Sequence, residues 1–521
     1  MTTSTPAASR ASLRIALVAT SALLALTACS GASGEAENST ASSGEPVAAD
    51  PVVGGTIDVG IDLDITDLDP LGSNIGQQSS LVVANAVYEP LFVDGPEGEM
   101  APGLAESLNS DDAVEWTLTL PEGLTFSDGS PLDGQAVIDH VTRAQGTESP
   151  TATLAAEVAE MEAVDATTVV FTLVAPNAAF DRYFSRNLGM IASTTATDEF
   201  GNPLGAGAFV VSGSSDGVSL TVERNDAYAG DPAHADEIVF HFLPDADSRY
   251  QSLLAGTMDL TWVQTPNHIS SAQTEGYTAS VANATTATAI FDVTEPPFDD
   301  VRVRQAVQAA IDREVLAEVV DQGQGGLSDG PLSSRSRYAQ EISYPAYEPD
   351  RARDLLAEYG EPVSLSYTTD SSPQSMQRAT AIQQMLEEVG IQMTIDAADS
   401  ATWGAQLFDR DFDLIEFVTS GYGDSDTVWS LFECDSGTNF GGYCNHEVNE
   451  AIQQASGTTD EQARSELYGQ AAQTIVEEAP TLFFTESPAG FLAASQVGGL
   501  PDFSDRNVIS LLPGELWIDE Q

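Results

Sequence analysis

Five histidines, three cysteines and eighty carboxylates are the side chains in this 521-residue chain that could ligate a metal, attack a carbonyl or relay a proton. The histidines stand at 140, 234, 241, 268 and 446, never at the spacing that turns two imidazoles toward one zinc ion. His446-Glu447 opens like a zinc-binding helix, but Glu450 occupies the place of the second histidine. The acidic run Asp62, Asp64, Asp67, Asp69 lacks the glycine and the closing glutamate of a calcium loop, so these groups are expected to be solvated or to cap turns. All 18 basic residues are arginine. Without lysine there is neither the phosphate-gripping amine of a nucleotide-binding loop nor a Schiff-base nucleophile. No serine elbow with a partnering base is expected either, so no catalytic residue, cofactor or metal site is assigned.

Cys29 carries a different chemistry. It closes the quartet Leu26-Thr27-Ala28-Cys29, behind an apolar run that starts at Leu13 and follows Arg10 and Arg14. The run is too short to span a bilayer comfortably and ends in small residues, as a cleaved secretory signal does. The quartet resembles the bacterial lipobox, and that resemblance implies cleavage before Cys29 and a diacylglyceryl thioether on its sulfur. Residues 1–28 are thus expected to be a signal peptide and residues 29–53 a lipidated tether of Ser, Gly, Ala and Glu, holding the folded part roughly 25–30 Å from the lipid. The chain would work outside the cytoplasm, on the outer face of the bacterial cytoplasmic membrane. In that compartment Cys434 and Cys444 are expected to pair, two separate buried thiols being the alternative. Closing so short a loop stabilises by roughly 2–3 kcal/mol.

From Cys29 onward 16 arginines face 80 acids, a formal charge of 16 − 80 = −64. Such a surface repels nucleic acid and anionic lipid and favours solubility.

The elements that position these groups follow from hydrophobic period. Ile57, Val59 and Ile61 alternate, as do Trp116, Leu118 and Leu120; Val169, Phe171 and Leu173; Leu220 and Val222; and Ile238, Phe240 and Phe242. Each series predicts a strand with one buried face. An apolar helix-like stretch covers 77–88. The second half predicts strand 363–368, helix 374–389 stopped by Gly390, strand 391–395, a helix over 403–408, and strand 413–418. That β-α-β-α-β order implies a parallel sheet. A long helix is expected over 301–321, started by Asp299 or Asp300, and another over 350–359 ended by Gly360. The economical architecture is two lobes with a crossover near Trp262 to Asn267.

A set of ordered segments then identifies a family. Gly54-Gly55-Thr56, Leu68-Asp69-Pro70, Val87-Tyr88-Glu89-Pro90-Leu91, Pro102-Gly103-Leu104-Ala105-Glu106-Ser107 and Gly123-Leu124-Thr125-Phe126-Ser127-Asp128-Gly129 are followed by Pro297-Phe298-Asp299-Asp300-Val301-Arg302-Val303-Arg304-Gln305-Ala306, Ala310-Ile311-Asp312-Arg313 and Leu355-Leu356-Ala357-Glu358-Tyr359-Gly360. In this order they resemble family 5 extracytoplasmic solute-binding proteins of ABC importers, the peptide, nickel and opine group. The resemblance implies an α/β, two-lobe periplasmic-binding-protein-like fold (type II, large cluster C type) with an extra sheet-containing subdomain in the first lobe. It places lobe I at 54–264, its subdomain at about 88–199, lobe II at 265–485 and a return to lobe I at 486–521. The implied partners are ABC permease and ATPase subunits, and the implied state is a monomer. Arg302 and Arg304 read as structural ion-pair formers beside a helix start.

In peptide-binding members an acid in a Gly-Asp step receives the peptide ammonium, and Gly423-Asp424 matches that step, with Tyr422 beside it. Trp262, Trp403 and Trp429 are each a candidate cleft wall or a core residue. Arg378 could take a ligand carboxylate bidentately or lie on a solvated helix face. Asp292 stands where relatives often carry Asn, an extra negative charge that could favour cationic ligands. The expected function is capture of oligopeptides or dipeptides by closure between two lobes, without catalysis. The alternatives are a receptor for a nickel chelate, opine or sugar, a sensory lipoprotein, and a secreted hydrolase.

Overall fold

The computed structural model describes residues 51–521 apart from 66, 73–77, 96–98, 148, 324, 421–427, 505–508 and 520–521. Among the described residues eleven strands form one mixed sheet. In chain order they are β1 (Thr56–Ile61), β2 (Phe209–Ser215), β3 (Ser219–Arg224), β4 (Glu237–Phe242), β5 (Leu260–Val263), β6 (Thr278–Phe291), β7 (Gly326–Leu327), β8 (Ser364–Asp370), β9 (Gln392–Ala398), β10 (Leu414–Ser420) and β11 (Thr481–Ala493). Their order across the sheet is β9-β8-β10-β6-β11-β5-β1-β4-β3-β2, with β7 laid against β11. The alternating residues Ile57, Val59 and Ile61 are fully buried, as the period of two demands.

The sheet is continuous but its cores are not. One apolar core joins β1, β4 and β5 to helix α1 (Gln78–Val87) and to Phe491, Phe503 and Leu516. A second fills an inserted unit built on the four-stranded antiparallel sheet of 107–109, 115–119, 168–173 and 158–163 and on α2 (Gly134–Gln145). There Trp116, Phe171, Phe180 and Phe184 interlock, with ring centroids 5.3 to 5.7 Å apart. Helix α3 (Ala246–Leu254) and α4 (Pro266–Glu275) pack beside the first core, Tyr250, Leu253, Ile269 and Leu492 forming their contact. The second lobe has its own cores under α5 (Val301–Ala310), α6 (Arg313–Val320), α7 (Pro349–Tyr359), α8 (Pro373–Glu388), α9 (Ser400–Asp409), α10 (His446–Ser456) and α11 (Glu461–Glu478).

Two expectations change. The stretch 301–321 is two helices, because Ile311 turns extended and Asp312 caps α6 by accepting from the amides of Glu314 and Val315. The crossover is not near Trp262 to Asn267: β5 and α4 belong to the first-lobe packing, and the chain passes between lobes on β6 and β11. Arg302 and Arg304 are structural, Arg302 pairing with Asp300 at 2.5 Å and Arg304 donating to the carbonyls of Phe298 and Glu478 at 2.7 and 3.0 Å. No described helix is long and apolar enough to cross a membrane.

Candidate functional site

The two long strands β6 and β11 pair antiparallel from Thr278 against Ala493 to Ile290 against Thr481. At one end β5 flanks β11, from Leu260 opposite Ala493 to Val263 opposite Gly490. At the other, β10 flanks β6, from Phe291 opposite Leu414 to Thr285 opposite Ser420. Between Val281 and Thr285 the sheet narrows to this ribbon, which carries a bulge at Asn283/Thr285. A two-stranded ribbon twists and bends more readily than a wide sheet, and a bulge strengthens that tendency.

Both sets of parallel strands point their carboxyl ends at the ribbon. β8 runs parallel to β9 and β10, so Asp370, Ala398 and Ser420 end along one edge, with Ser420 opposite Thr285. On the other side β1 runs parallel to β4 and β5, and β5 ends at Val263 opposite Gly490. Open α/β sheets bind ligands in the crevice outside their strand carboxyl ends.

The second-lobe edge carries a buried polar network. Arg378, on α8 and 3% exposed, forms a direct ion pair with Glu416 of β10, also 3% exposed. Glu416 further accepts from Thr369 Oγ1 at 2.6 Å, Ser375 Oγ at 3.2 Å and Tyr367 OH at 3.3 Å. Burial, and then the Glu416 charge, hold the Tyr367 hydroxyl well above the usual phenol range. Asp321, at the end of α6 and fully buried, accepts from Ser487 Oγ of the ribbon at 2.7 Å and from Gln374 Nε2 at 3.2 Å. Glu486 of the ribbon accepts from the Ser334 amide and hydroxyl, both at 2.8 Å. Buried carboxylates persist only when hydrogen-bonded in this way. Beside β7 a cavity of about 130 Å³ is walled by Leu327, Tyr338, Ile342 and Tyr468.

On the first-lobe edge Arg249 gathers strand ends, donating to the carbonyls of Leu243 at 2.6 Å, Pro244 at 2.9 Å and Trp262 at 3.3 Å. His268 stacks on Tyr250, ring centroids 4.5 Å apart, and bonds Asp247 at 2.9 Å.

Residues 99–441 match the model of bacterial extracellular solute-binding proteins, family 5 middle region. The chain belongs to this family, the binding subunits of ABC importers. It is 27% identical over 450 residues to the glutathione-binding protein GsiB of Shigella flexneri, covering 81% of this chain and 87% of that one. The fold is shared with the oligopeptide-binding protein AppA of Bacillus subtilis, solved with a nonapeptide, at TM-score 0.75 and 20% identity, covering 90% of this chain and 100% of that one. It is also shared with NikA of Brucella suis, solved with Fe(III)-EDTA, at TM-score 0.78 and 23% identity, covering 89% and 100%.

The other sequence candidates in this family 5 receptor separate by environment. Tyr422, Gly423, Asp424 and Cys29 lie outside the described residues. Arg378 does not lie on a solvated helix face: it is buried and paired with Glu416, a carboxylate absent from the sequence-derived set. The signal available for Glu416 was a single acid inside the apolar run Leu414-Ile415-Glu416-Phe417-Val418. Trp429 is core, 1% exposed and stacked on Tyr468 at 4.6 Å. Trp262 is core as well, 1% exposed and edge-on to Phe491 at 5.3 Å. Trp403 is half-buried against β10, its ring 6.2 Å from Phe417 and its indole N–H donating to the Glu416 carbonyl at 3.2 Å. Asp292 follows the far end of β6 from the ribbon, roughly 20 Å along the strand, and caps a turn by accepting from the Thr294 amide at 2.9 Å and hydroxyl at 2.6 Å. Its charge is therefore structural there.

Cys434 and Cys444 form a disulfide with S–S 2.10 Å, and His446 lies close to both sulfurs. Two G-x-S-x-G spacings are nonetheless present in the sequence. Gly213-Ser214-Ser215-Asp216-Gly217 has nucleophile-elbow spacing but forms the hairpin between β2 and β3, not a strand-to-helix turn. Gly326-Leu327-Ser328-Asp329-Gly330 also fits, yet Ser328 is 1% exposed and its hydroxyl donates to the Gly330 carbonyl at 3.2 Å.

Proposed function

We propose that the protein is a lipid-anchored receptor that captures oligopeptides, dipeptides or a similarly sized polar solute by closure of its two lobes about the β6/β11 ribbon, and passes the solute to a permease driven by ATPase subunits. The observation that carries this reading is the convergence of both sets of strand carboxyl ends on a two-stranded, bulged connection. A solute touching both edges binds the closed form better than the open one, and that difference drives closure.

Charge supports an ammonium-bearing ligand. Three of the least exposed carboxylates, Asp321, Glu416 and Glu486, stand at the second-lobe edge, and among the described residues only Glu416 is bonded there to a guanidinium. Asp321 and Glu486 receive neutral donors. Asp424, in the segment that follows β10, is the proposed acceptor of the peptide ammonium, through a charge-assisted hydrogen bond. Tyr422 and Trp403 would supply aromatic contact area. The receptor would have no catalytic activity, and Cys29 would carry the lipid.

The test is to denature freshly purified protein and identify the released solute by mass spectrometry. Short peptides in stoichiometric amount are the expected result. A metal chelate, opine or sugar would replace the peptide assignment and leave the receptor reading in place.

A further inference from the structure

The inserted unit and the second lobe also touch directly. The amide of Ala178 donates to the Ser456 carbonyl at 2.7 Å. Arg464, 3% exposed on α11, donates from Nε to the Thr458 carbonyl at 2.8 Å, from Nη1 to Tyr338 OH at 2.7 Å and from Nη2 to the Ala178 carbonyl at 3.0 Å. One planar guanidinium thus ties two turns of the second lobe to the turn at Ala178, a geometry that lysine cannot reproduce.

Each side of the contact is held by hydrogen bonds within its own unit. Asn177 accepts from the Ala179 amide at 2.8 Å and donates to Glu157 at 2.7 Å and Tyr183 OH at 2.9 Å, which fixes the turn within the inserted unit. Asp460 caps α11 one turn before Arg464. The turns also touch sterically: a Cβ added at Gly457 would lie 3.4 Å from Pro176 Cβ. The inserted unit is fastened to the first lobe, Tyr88 OH donating to the Pro203 carbonyl at 2.9 Å, and the second lobe is joined through the ribbon, so this contact closes a ring that a relative rotation of the lobes has to break or reseat.

We infer that Arg464 is a positioning residue for solute capture, clasping the Ala178 turn to the second lobe and setting the balance between the open and closed receptor. The inference rests on the proposed hinge closure. Tyr338 places the clasp next to the cavity beside β7, since its hydroxyl accepts from Arg464 while its ring walls that cavity. A hydrogen bond donated by a charged group is worth roughly ten- to a hundredfold in an equilibrium of this kind.

The experiment combines amide hydrogen exchange with small-angle scattering on the full chain, as purified and after its solute is stripped by unfolding and refolding. Arg464→Met removes the donors and keeps the apolar stem. Gly457→Leu wedges the turns apart from the other side at φ −88°, where a side chain fits without backbone strain. In either variant the Ala178 amide should exchange at least about tenfold faster, the radius of gyration should shift toward the stripped form, and protection of α2 and α11 should stay unchanged. If wild type shows two radii and both variants reproduce them in wild-type proportion, the role of Arg464 is overturned while hinge closure stands. If wild type shows one radius in both preparations, hinge closure fails and the clasp loses its function with it.

Discussion

Replacing Arg378 with methionine distinguishes a structural guanidinium from a ligand-binding one. Among the described residues Arg378 is the one cation bonded to Glu416, and both are 3% exposed. Arg378→Met leaves the carboxylate with Thr369, Ser375 and Tyr367 as neutral donors. Stranding one partner of a buried pair costs roughly 3–5 kcal/mol. The compact body runs from Asp50 to Gln521. At about 2.1 cal/mol/K per residue a body of that size unfolds with roughly 1 kcal/mol/K of entropy, so Tm should fall by about 3–5 °C. Arg378→Met with Glu416→Gln should recover part of the loss, because no charge remains buried. Differential scanning calorimetry of both variants reads this directly. A single variant that melts within 1 °C of wild type but releases its solute would refute the buried-pair argument and return Arg378 to the ligand.

Asp424→Ala should weaken free-amine peptides far more than their N-acetylated counterparts in calorimetric titration; equal losses would remove the ammonium role. Cys29→Ser should move the protein from the membrane to the soluble extracellular fraction, and unchanged membrane retention would discard the lipid anchor. Burial, with Arg143 beside it, pushes His140 down to about 4, so its contribution is full above pH 6.5 and is lost as pH falls toward 4, on the order of 3 kcal/mol in all; denaturant melts of His140→Gln should show a flatter acid limb. Burial raises Glu89 to about 7, so its contribution is present below pH 4.5 and lost as pH rises through 7, and Glu89→Gln should narrow the difference in stability between pH 5 and pH 8 in the same melts.

What the sequence shows well is what local physics decides. Alternation at Ile57, Val59 and Ile61 and the left-handed glycines 360 and 390 mark elements whatever lies around them. The break at Ile311 is hidden because apolar spacing carries on from Val303, Val307 and Ala310 to Leu316 across it. Asp312 could end one helix or begin the next, and only the packing of α6 on α8 and β11 decides between them. The crossover is hidden for a related reason. The length of β6 is legible, but where the ribbon stands alone is set by β5, which flanks β11 up to Gly490, and by β10, which flanks β6 from Thr285, both far away in the chain.

The site was harder, since residue type identifies chemistry while burial decides whether that chemistry is available. Trp262 and Trp429 have the right side chain for a cleft wall, yet Phe491 and Tyr468, each remote in sequence, take up their rings. The same logic inverts for acids. Among eighty carboxylates most cost nothing because water solvates them, and their positions carry little information. Asp321, Glu416 and Glu486 are costly to bury, and each takes donors from other parts of the chain: Asp321 from the ribbon and α8, Glu416 from β8 and α8, and Glu486 from the Ser334 turn. Asp321 and Glu486 tie second-lobe elements to the ribbon itself, while Glu416 joins β10 to β8 and α8. Under the proposed closure, a solute that perturbs Asp321 or Glu486 acts on the connection as well as on its own binding surface.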